Sequence, residues 1–295
     1  MDREIRDLAL ILVLGASAGA SGPGTADGLV LAVPAFAGQM MLGEAGWAIA
    51  GGADAAAGNP ACLGSGFTAT GGRWSLETTV ASAAGAFRPA PGIAAGGVLR
   101  YAGSGGIQGR DLYGSPTGEY SWSSGAAGVS VSFPLPAGLR GGLSASTLWE
   151  SIEDDDAAGF SSSAGVSYIG GDSFEAGIAL RNAGAAPSWD GITKNLPTEV
   201  SLGAKTGLVQ GVSLAGGASI GFWTASRFSA CAICAVGGLS AAAGWTLVPG
   251  EDQASGPFGG LGWEFSQGST YSAALSVRRM GDMSWPVLAG ISVAF

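Results

Sequence analysis

The sequence contains no histidine. The imidazole that most often activates serine and cysteine nucleophiles and most often ligates metals is therefore missing. Cys231 and Cys234 stand at the spacing of a redox or metal-binding pair. Residues three apart on a strand face opposite sides, however, and there is no second pair to complete a zinc site, so these thiols read as structural. With Cys62 the chain has three cysteines, an odd number that defines no disulfide framework. Gly15-Ala-Ser17-Ala-Gly19 matches the nucleophile-elbow string without a partner base. Gly103-Ser-Gly-Gly-Ile-Gln-Gly109 has the look of a phosphate loop but lacks a following Lys-Ser/Thr and helix, and among 54 glycines such strings arise by chance. Glu150, Glu153, Asp154, Asp155 and Asp156 supply carboxylates that could hold a divalent cation, although their spacing is not that of a calcium loop. They read as a solvated external loop, with cation bridging to lipopolysaccharide as the sharper alternative. No catalytic residue, resident metal or cofactor is expected, and the chain reads as something other than an enzyme.

Composition narrows what holds these residues in place. Only 12% of the 295 residues are charged, while 47% are apolar, so the surface is not an ordinary water-facing one and the chain is not disordered. Glycine at this abundance disfavours long helices. The net charge of −9 argues against nucleic acid as a partner, since phosphate binding needs a basic patch. At the amino end, Arg3 and Arg6 precede an apolar run, Leu8–Leu14, and small residues up to Ala20. This is the shape of a signal peptide over 1–20, although Asp2, Glu4 and Asp7 cancel the arginines and a retained start helix is the alternative. Ala230–Val248 runs for nineteen residues without a charge. Its central Gly237-Gly238 favours two strands around a turn over a membrane-spanning helix.

From residue 65 onward, fourteen segments alternate with period two: 65–70, 74–86, 92–102, 119–133, 139–149, 160–169, 173–182, 198–206, 212–222, 229–236, 239–248, 257–265, 270–279 and 286–295. Leu143, Ala145, Thr147 and Trp149 oppose Arg140, Gly142, Ser144 and Ser146; Leu261, Trp263 and Phe265 oppose Gly260, Gly262 and Glu264. In 119–133 the alternation slips near Ser124-Gly125, which suggests a bulge. A soluble sandwich would put Lys and Glu opposite its apolar face, but here that face carries Gly, Ala and Ser. Apolar residues toward lipid and small ones toward a lumen fit an all-β, transmembrane antiparallel β-barrel of about 14 strands. Connection lengths alternate as such a barrel requires, with short turns such as Gly237-Gly238 between longer stretches at 103–118, 150–159, 183–197, 223–228, 249–256 and 280–285. A barrel this wide is not filled by its own side chains, so residues 21–64 are expected to form an N-terminal hatch or plug, with 65–295 as the barrel. Arg140, Glu175, Arg181, Glu199, Lys205 and Arg278 are expected to face the lumen.

Ala45-Gly-Trp-Ala-Ile-Ala-Gly-Gly-Ala-Asp54-Ala-Ala-Ala-Gly-Asn59-Pro60-Ala61-Cys-Leu63 resembles the hatch motif of PorV/PorQ-like proteins, within the wider group around the FadL-type fatty-acid transporters. Leu180-Arg-Asn182-Ala-Gly184 followed by Leu196-Pro197-Thr-Glu-Val-Ser-Leu-Gly203 is similar to a second stretch of that family, and the likeness covers most of the chain in order. Cys62 departs from it, standing where the family often has Gly. The resemblance implies a fourteen-stranded outer-membrane barrel with an amino-terminal hatch and singles out Asp54, Asn59, Pro60 and Ala61. On physical grounds Pro60 fixes its own φ and turns Asn59 away from helix, which suits a fixed bend or an ordinary loop turn. Val287, Ala289, Ile291, Val293 and Phe295 share one face of the last segment, an arrangement that, in similar barrels, the barrel-assembly machinery reads; an ordinary terminal strand has the same pattern.

Three functions follow as expectations. The first is a passive channel of the FadL type for small hydrophobic molecules in the bacterial outer membrane, reached by a cleaved signal peptide and bordered by outer-membrane lipid. The second, from the PorV resemblance, is a docking or shuttle component for secreted cargo proteins. The third is a purely structural barrel or adhesin.

Overall fold

The computed structural model describes residues 28–74, 78–110, 113–153, 155–171, 173–189, 192–250, 254–279 and 285–295. The signal-peptide expectation over 1–20, and the first residues of the expected hatch, lie outside these. Fourteen strands close into one antiparallel barrel, each paired with its sequence neighbour and the first with the last. They are β1 (Gly66–Arg73), β2 (Thr79–Ala90), β3 (Ile93–Arg110), β4 (Pro116–Pro134), β5 (Leu139–Ile152), β6 (Asp155–Gly170) and β7 (Phe174–Ala185). A two-stranded hairpin, β8 (Ser188–Trp189) and β9 (Ile192–Thr193), interrupts the series outside the barrel wall. The wall resumes with β10 (Glu199–Val209), β11 (Val212–Gly221), β12 (Arg227–Val236), β13 (Leu239–Leu247), β14 (Gly256–Gln267), β15 (Ser269–Arg278) and β16 (Val287–Ala294). Each expected segment corresponds to one wall strand. Closure leaves no free strand edge, the condition for burying β-structure in lipid.

The alternation sorts the side chains as the sequence implies. Val129, Leu261 and Ile291 are 67%, 61% and 63% exposed on the outer wall, whereas Leu288, one residue from an outward position, is 0% exposed. Outward aromatics gather toward both ends of the strands: Trp263, Phe265 and Tyr271 stack with successive centroids 5.0 Å apart at the end that carries the short turns, and Tyr101, Trp149, Phe228 and Trp245 stand toward the other. Such girdles mark where an apolar band meets two polar boundaries. No helix among the described residues is long and apolar enough to cross a membrane. Ala230–Val248 instead forms most of β12 and all of β13, joined at Gly237 and Gly238, whose φ values of 59° and 84° suit the tight turn.

Three expectations need correction. The stretches 103–118 and 150–159 are not long loops: β3 runs to Arg110, β4 starts at Pro116, and β5 and β6 approach within two residues of each other. Gly- and Ser-rich polar sequence there lacks an apolar stripe because the strands rise past the apolar band, so pattern reading ended them early. The slip near Ser124-Gly125 is not a bulge, since β4 stays in unbroken register with β5 from Trp122 to Pro134. The irregularity falls on the partner strand, where Gly105-Gly106 of β3 interrupts pairing with β4 and Gly106 has φ 67°. What slips in β4 is chemistry: Tyr120 and Trp122 put aromatic rings on the parity that faces inward.

The inside is not empty. Residues 28–64 run through it as short helical turns (Leu29–Ala32, Ala37–Met41, Gly43–Ala45, Gly46–Ile49, Ala53–Ala57 and Pro60–Cys62) that pack on the inner faces of the wall. Val30, Leu31, Met40 and Leu196 form one buried cluster with Val80, Leu148 and Leu288, and Phe36, Leu63, Ala84 and Val98 form a second.

Candidate functional site

Glycines set how closely the inner segment approaches the wall. Gly142 lies opposite Gly165 in the β5–β6 register, Gly177 opposite Gly203, and Gly203 opposite Gly217. A methyl group at Gly142 would strike the backbone of Pro60 and Ala61, one at Gly165 the side chain of Asn59, one at Gly177 the Ala48 carbonyl, and one at Gly217 the backbone of Ala45. At Gly203 the added carbon would lie 2.8 Å from the Ala45 carbonyl oxygen. These five residues make a ribbon without side chains across five neighbouring strands, and the inner segment lies on it.

Asn59 fixes the segment to that ribbon. It is 1% exposed, and its Nδ2 donates to the carbonyls of Ala48 (2.8 Å) and Val166 (3.1 Å) while its Oδ1 accepts from the Ala61 N–H at 3.0 Å. The last bond caps the turn Pro60–Cys62, in which Pro60 occupies the first position, where a missing N–H costs nothing. The Ala61 carbonyl accepts from Arg140 Nε and from Ser167 Oγ, both at 3.2 Å. Asp54 is half-buried beside Gly38, and its main-chain carbonyl accepts from Gln39 Nε2 at 3.1 Å. Burial pushes the Asp54 carboxyl up to about 6 against the opposing hydrogen bond from Thr68. Asn182, with φ 58°, donates to the Pro197 carbonyl and accepts at its own carbonyl from Thr198, so the two halves of the second motif stretch are tied together.

Toward the opposite end of the barrel lies a chain of ion pairs. Arg181 and Glu199 face each other across β7 and β10 at 3.1 Å, 2% and 0% exposed. Arg227 reaches Glu199 at 2.7 Å and Glu44 at 3.2 Å, and Arg278 reaches the other oxygen of Glu44 at 3.0 Å. The Glu44 N–H donates to Ser229 Oγ at 2.8 Å. Burial raises the Glu44 carboxyl, but Arg227 and Arg278 together outweigh it and hold the group down at about 2. The Arg181 guanidinium sits 3.6 Å from the centroid of the Trp47 ring, a cation–π contact.

Above this network is a cavity of about 910 Å³. Its floor is Ala32–Pro34, Glu44 and Trp47 of the inner segment, and its walls include Trp74, Ser104–Ile107, Tyr120, Trp122, Ile152, Arg227 and Arg278. An apolar, aromatic pocket with a few convergent charges is the usual form of a small-molecule site.

Of the six charges expected in the lumen, Arg181, Glu199 and Arg278 join the network, Arg140 holds the inner segment, and Lys205 pairs with Glu175 at 3.0 Å in a half-exposed position. Sequence reading missed Glu44, Arg100 and Arg227. Each is inward by strand parity or lies in the inner segment, but a lone charge in a Gly/Ala stretch gives no signal of its partner. Arg100, 5% exposed, donates to the Val33 carbonyl. The acidic cluster does not act as one solvated loop: Glu150 is 5% exposed and accepts from Ser124 Oγ at 3.2 Å, whereas Asp155 and Asp156 are exposed at the start of β6. Strand parity separates carboxylates that are adjacent in sequence, and no cluster of three metal-ligating groups occurs among the described residues. Cys231 is buried and Cys234 exposed, on opposite faces of β12, and both are free, as is Cys62. Val287, Ala289 and Ile291 face outward, and Ser65 Oγ donates to the Phe295 carbonyl, joining the last residue to the first strand's entry.

No family profile and no curated protein matches the sequence. Solved structures do. The chain is similar to the CymD monoaromatic hydrocarbon channel (13% identity, 90% of this chain and 98% of that one, TM-score 0.63). It is also similar to a Pseudomonas aeruginosa FadL homologue (11%, 88% and 98%, 0.59) and to the Ralstonia pickettii toluene transporter TbuX (13%, 82% and 92%, 0.57). At such identities the likeness is one of fold.

Proposed function

We propose that this protein is an outer-membrane channel of the FadL type for small hydrophobic molecules, and that the cavity over Trp47 is where they are first held. The observation that carries the reading is that cavity: Trp47, Trp74, Tyr120 and Trp122 line about 910 Å³ whose floor is the inner segment. The hydrocarbon channels among its structural neighbours support it. In this reading residues 21–64 are the hatch, the end with short turns faces the periplasm, and the cavity opens toward the cell exterior. A cleaved segment over 1–20 and recognition of the strand ending at Phe295 by the assembly machinery belong to the same proposal. Transport, not catalysis, is the role.

The test uses the protein in detergent and in cells. Toluene is expected to quench tryptophan fluorescence saturably, with Trp122→Ala weakening the effect about tenfold, the scale of one lost aromatic contact of about 1.4 kcal/mol. Cells carrying the protein should take up labelled toluene faster than cells without it. No saturable quench together with unchanged uptake would refute the reading. The docking role for secreted cargo rests on the 45–63 and 180–203 stretches alone, and would replace the channel if secreted proteins co-purify with the barrel while toluene does not bind.

A further inference from the structure

The ion-pair chain is not balanced. Arg181, Arg227 and Arg278 share two carboxylates, Glu44 and Glu199. Every nitrogen of Arg227 has a partner, Nε giving to Glu44, Nη2 to Glu199 and Nη1 to the Ala225 carbonyl, while Arg181 leaves Nε and Nη1 buried without one but is not part of the cavity lining. Among the described residues the Arg278 side chain has a single partner, Glu44 at Nη1, and its Nε is buried without one. A guanidinium carries five donors, and leaving them unpaired away from water is unfavourable. Arg278 also lines the cavity, whose opposite surfaces carry Trp74, Tyr120 and Trp122. One surplus positive charge, an arginine with unused donors and an aromatic wall converge on one space.

We propose, resting on the channel reading above, that this cavity selects arylalkanoates: monocarboxylates with an aromatic body, the carboxylate on Arg278 and the ring among Trp47, Trp74, Tyr120 and Trp122. A single negative charge offsets the excess of the three arginines over Glu44 and Glu199. The carboxylate adds a charge-assisted, bidentate-capable partner to Arg278 without displacing Glu44.

Binding of 4-phenylbutyrate, 4-phenylbutanol and 4-cyclohexylbutyrate to the purified full chain in detergent, read by tryptophan quenching, decides the matter. The acid is expected to bind at least tenfold tighter than the alcohol, and the phenyl acid at least threefold tighter than the cyclohexyl acid. Arg278→Gln should bring the acid-to-alcohol ratio near one, and Arg278→Lys should keep part of the preference. Equal binding of acid and alcohol to the unmodified protein overturns the carboxylate assignment, and that comparison needs no variant to fold. A preference that survives Arg278→Gln overturns the role of Arg278, and equal affinity for the cyclohexyl acid overturns the aromatic part. If neither acid nor alcohol binds while toluene does, the arylalkanoate proposal fails and the channel reading stands; if toluene does not bind either, the channel reading itself fails.

Discussion

Replacing Asn59 with alanine tests whether the inner segment is held by a few discrete bonds. The substitution removes the donor to the Ala48 carbonyl (2.8 Å) and the acceptor of the Ala61 N–H (3.0 Å), leaving both backbone groups without that partner in a site where Asn59 itself is 1% exposed. An orphaned buried group costs about 1–3 kcal/mol, and with the Ala48 carbonyl left only the weak Cys62 thiol donor at 3.4 Å the combined loss is about 3 kcal/mol. At 1.4 kcal/mol per decade, the population with the segment detached should rise about a hundredfold. Cys62, three residues on, reports that population, because in place its thiol is pushed up to about 11 by burial and reacts slowly. In a Cys231→Ala, Cys234→Ala background, maleimide labelling of Cys62 should therefore speed up about a hundredfold in Asn59→Ala. The barrel should keep its heat-modifiable gel mobility, since no wall strand loses a ladder bond. A change below threefold in an intact barrel would refute the reasoning and move the anchorage to the packed clusters around Phe36 and Met40.

Other outcomes follow from the same geometry. Asp54 has its carboxyl raised to about 6 from 3.8, so the docked segment binds the proton more tightly than the detached one. Its docking should strengthen as pH falls from 7 toward 4, and Asp54→Asn should remove that slope in a proteolysis series. Glu44, lowered from 4.5 to about 2, stabilises docking fully above about pH 4.5 and progressively less below it, so proteolysis of Glu44→Gln should exceed that of the unmodified chain by the same factor at pH 7 and pH 6 and by a smaller factor at pH 4. Gly142→Leu puts a side chain into the backbone of Pro60 and Ala61 and should expose the segment to protease without stopping barrel assembly. Leu261→Arg, on the outer wall within the apolar band, should cost about 2–4 kcal/mol in a membrane and reduce the assembled fraction after refolding into liposomes.

The strand count was legible because two constraints act on every wall residue: apolar outward, small or polar inward. The rule fails where one of them lapses. Beyond the apolar band, Gly103–Arg110 and Pro116–Glu119 pair as strands without an outward apolar face, so they looked like loop. Where the inner face lines a cavity, Tyr120 and Trp122 broke the alternation and looked like a bulge; an inward aromatic pair among glycines is in fact the sequence trace of the pocket. The charge network was half legible. Parity pointed Arg181, Glu199 and Arg278 inward, but Glu44 meets Arg278 across 234 positions of sequence, a distance over which pattern carries no information. Asn59 was singled out by the resemblance of the 45–63 stretch, its turn chemistry with Pro60 being equally that of an ordinary loop turn, whereas its grip on Val166 required the closed barrel.

The ribbon of Gly142, Gly165, Gly177, Gly203 and Gly217 divides each of these strands into two alphabets. On the inner side the permitted residue is a single letter, since even a methyl collides with the segment beneath. On the outer side any apolar letter serves, because lipid has no shape to match. Information needed to specify the fold is therefore concentrated in a few inward sites, and most of the wall is free to drift. A barrel built this way can share only 11–13% of its residues with solved structures and still close in the same way.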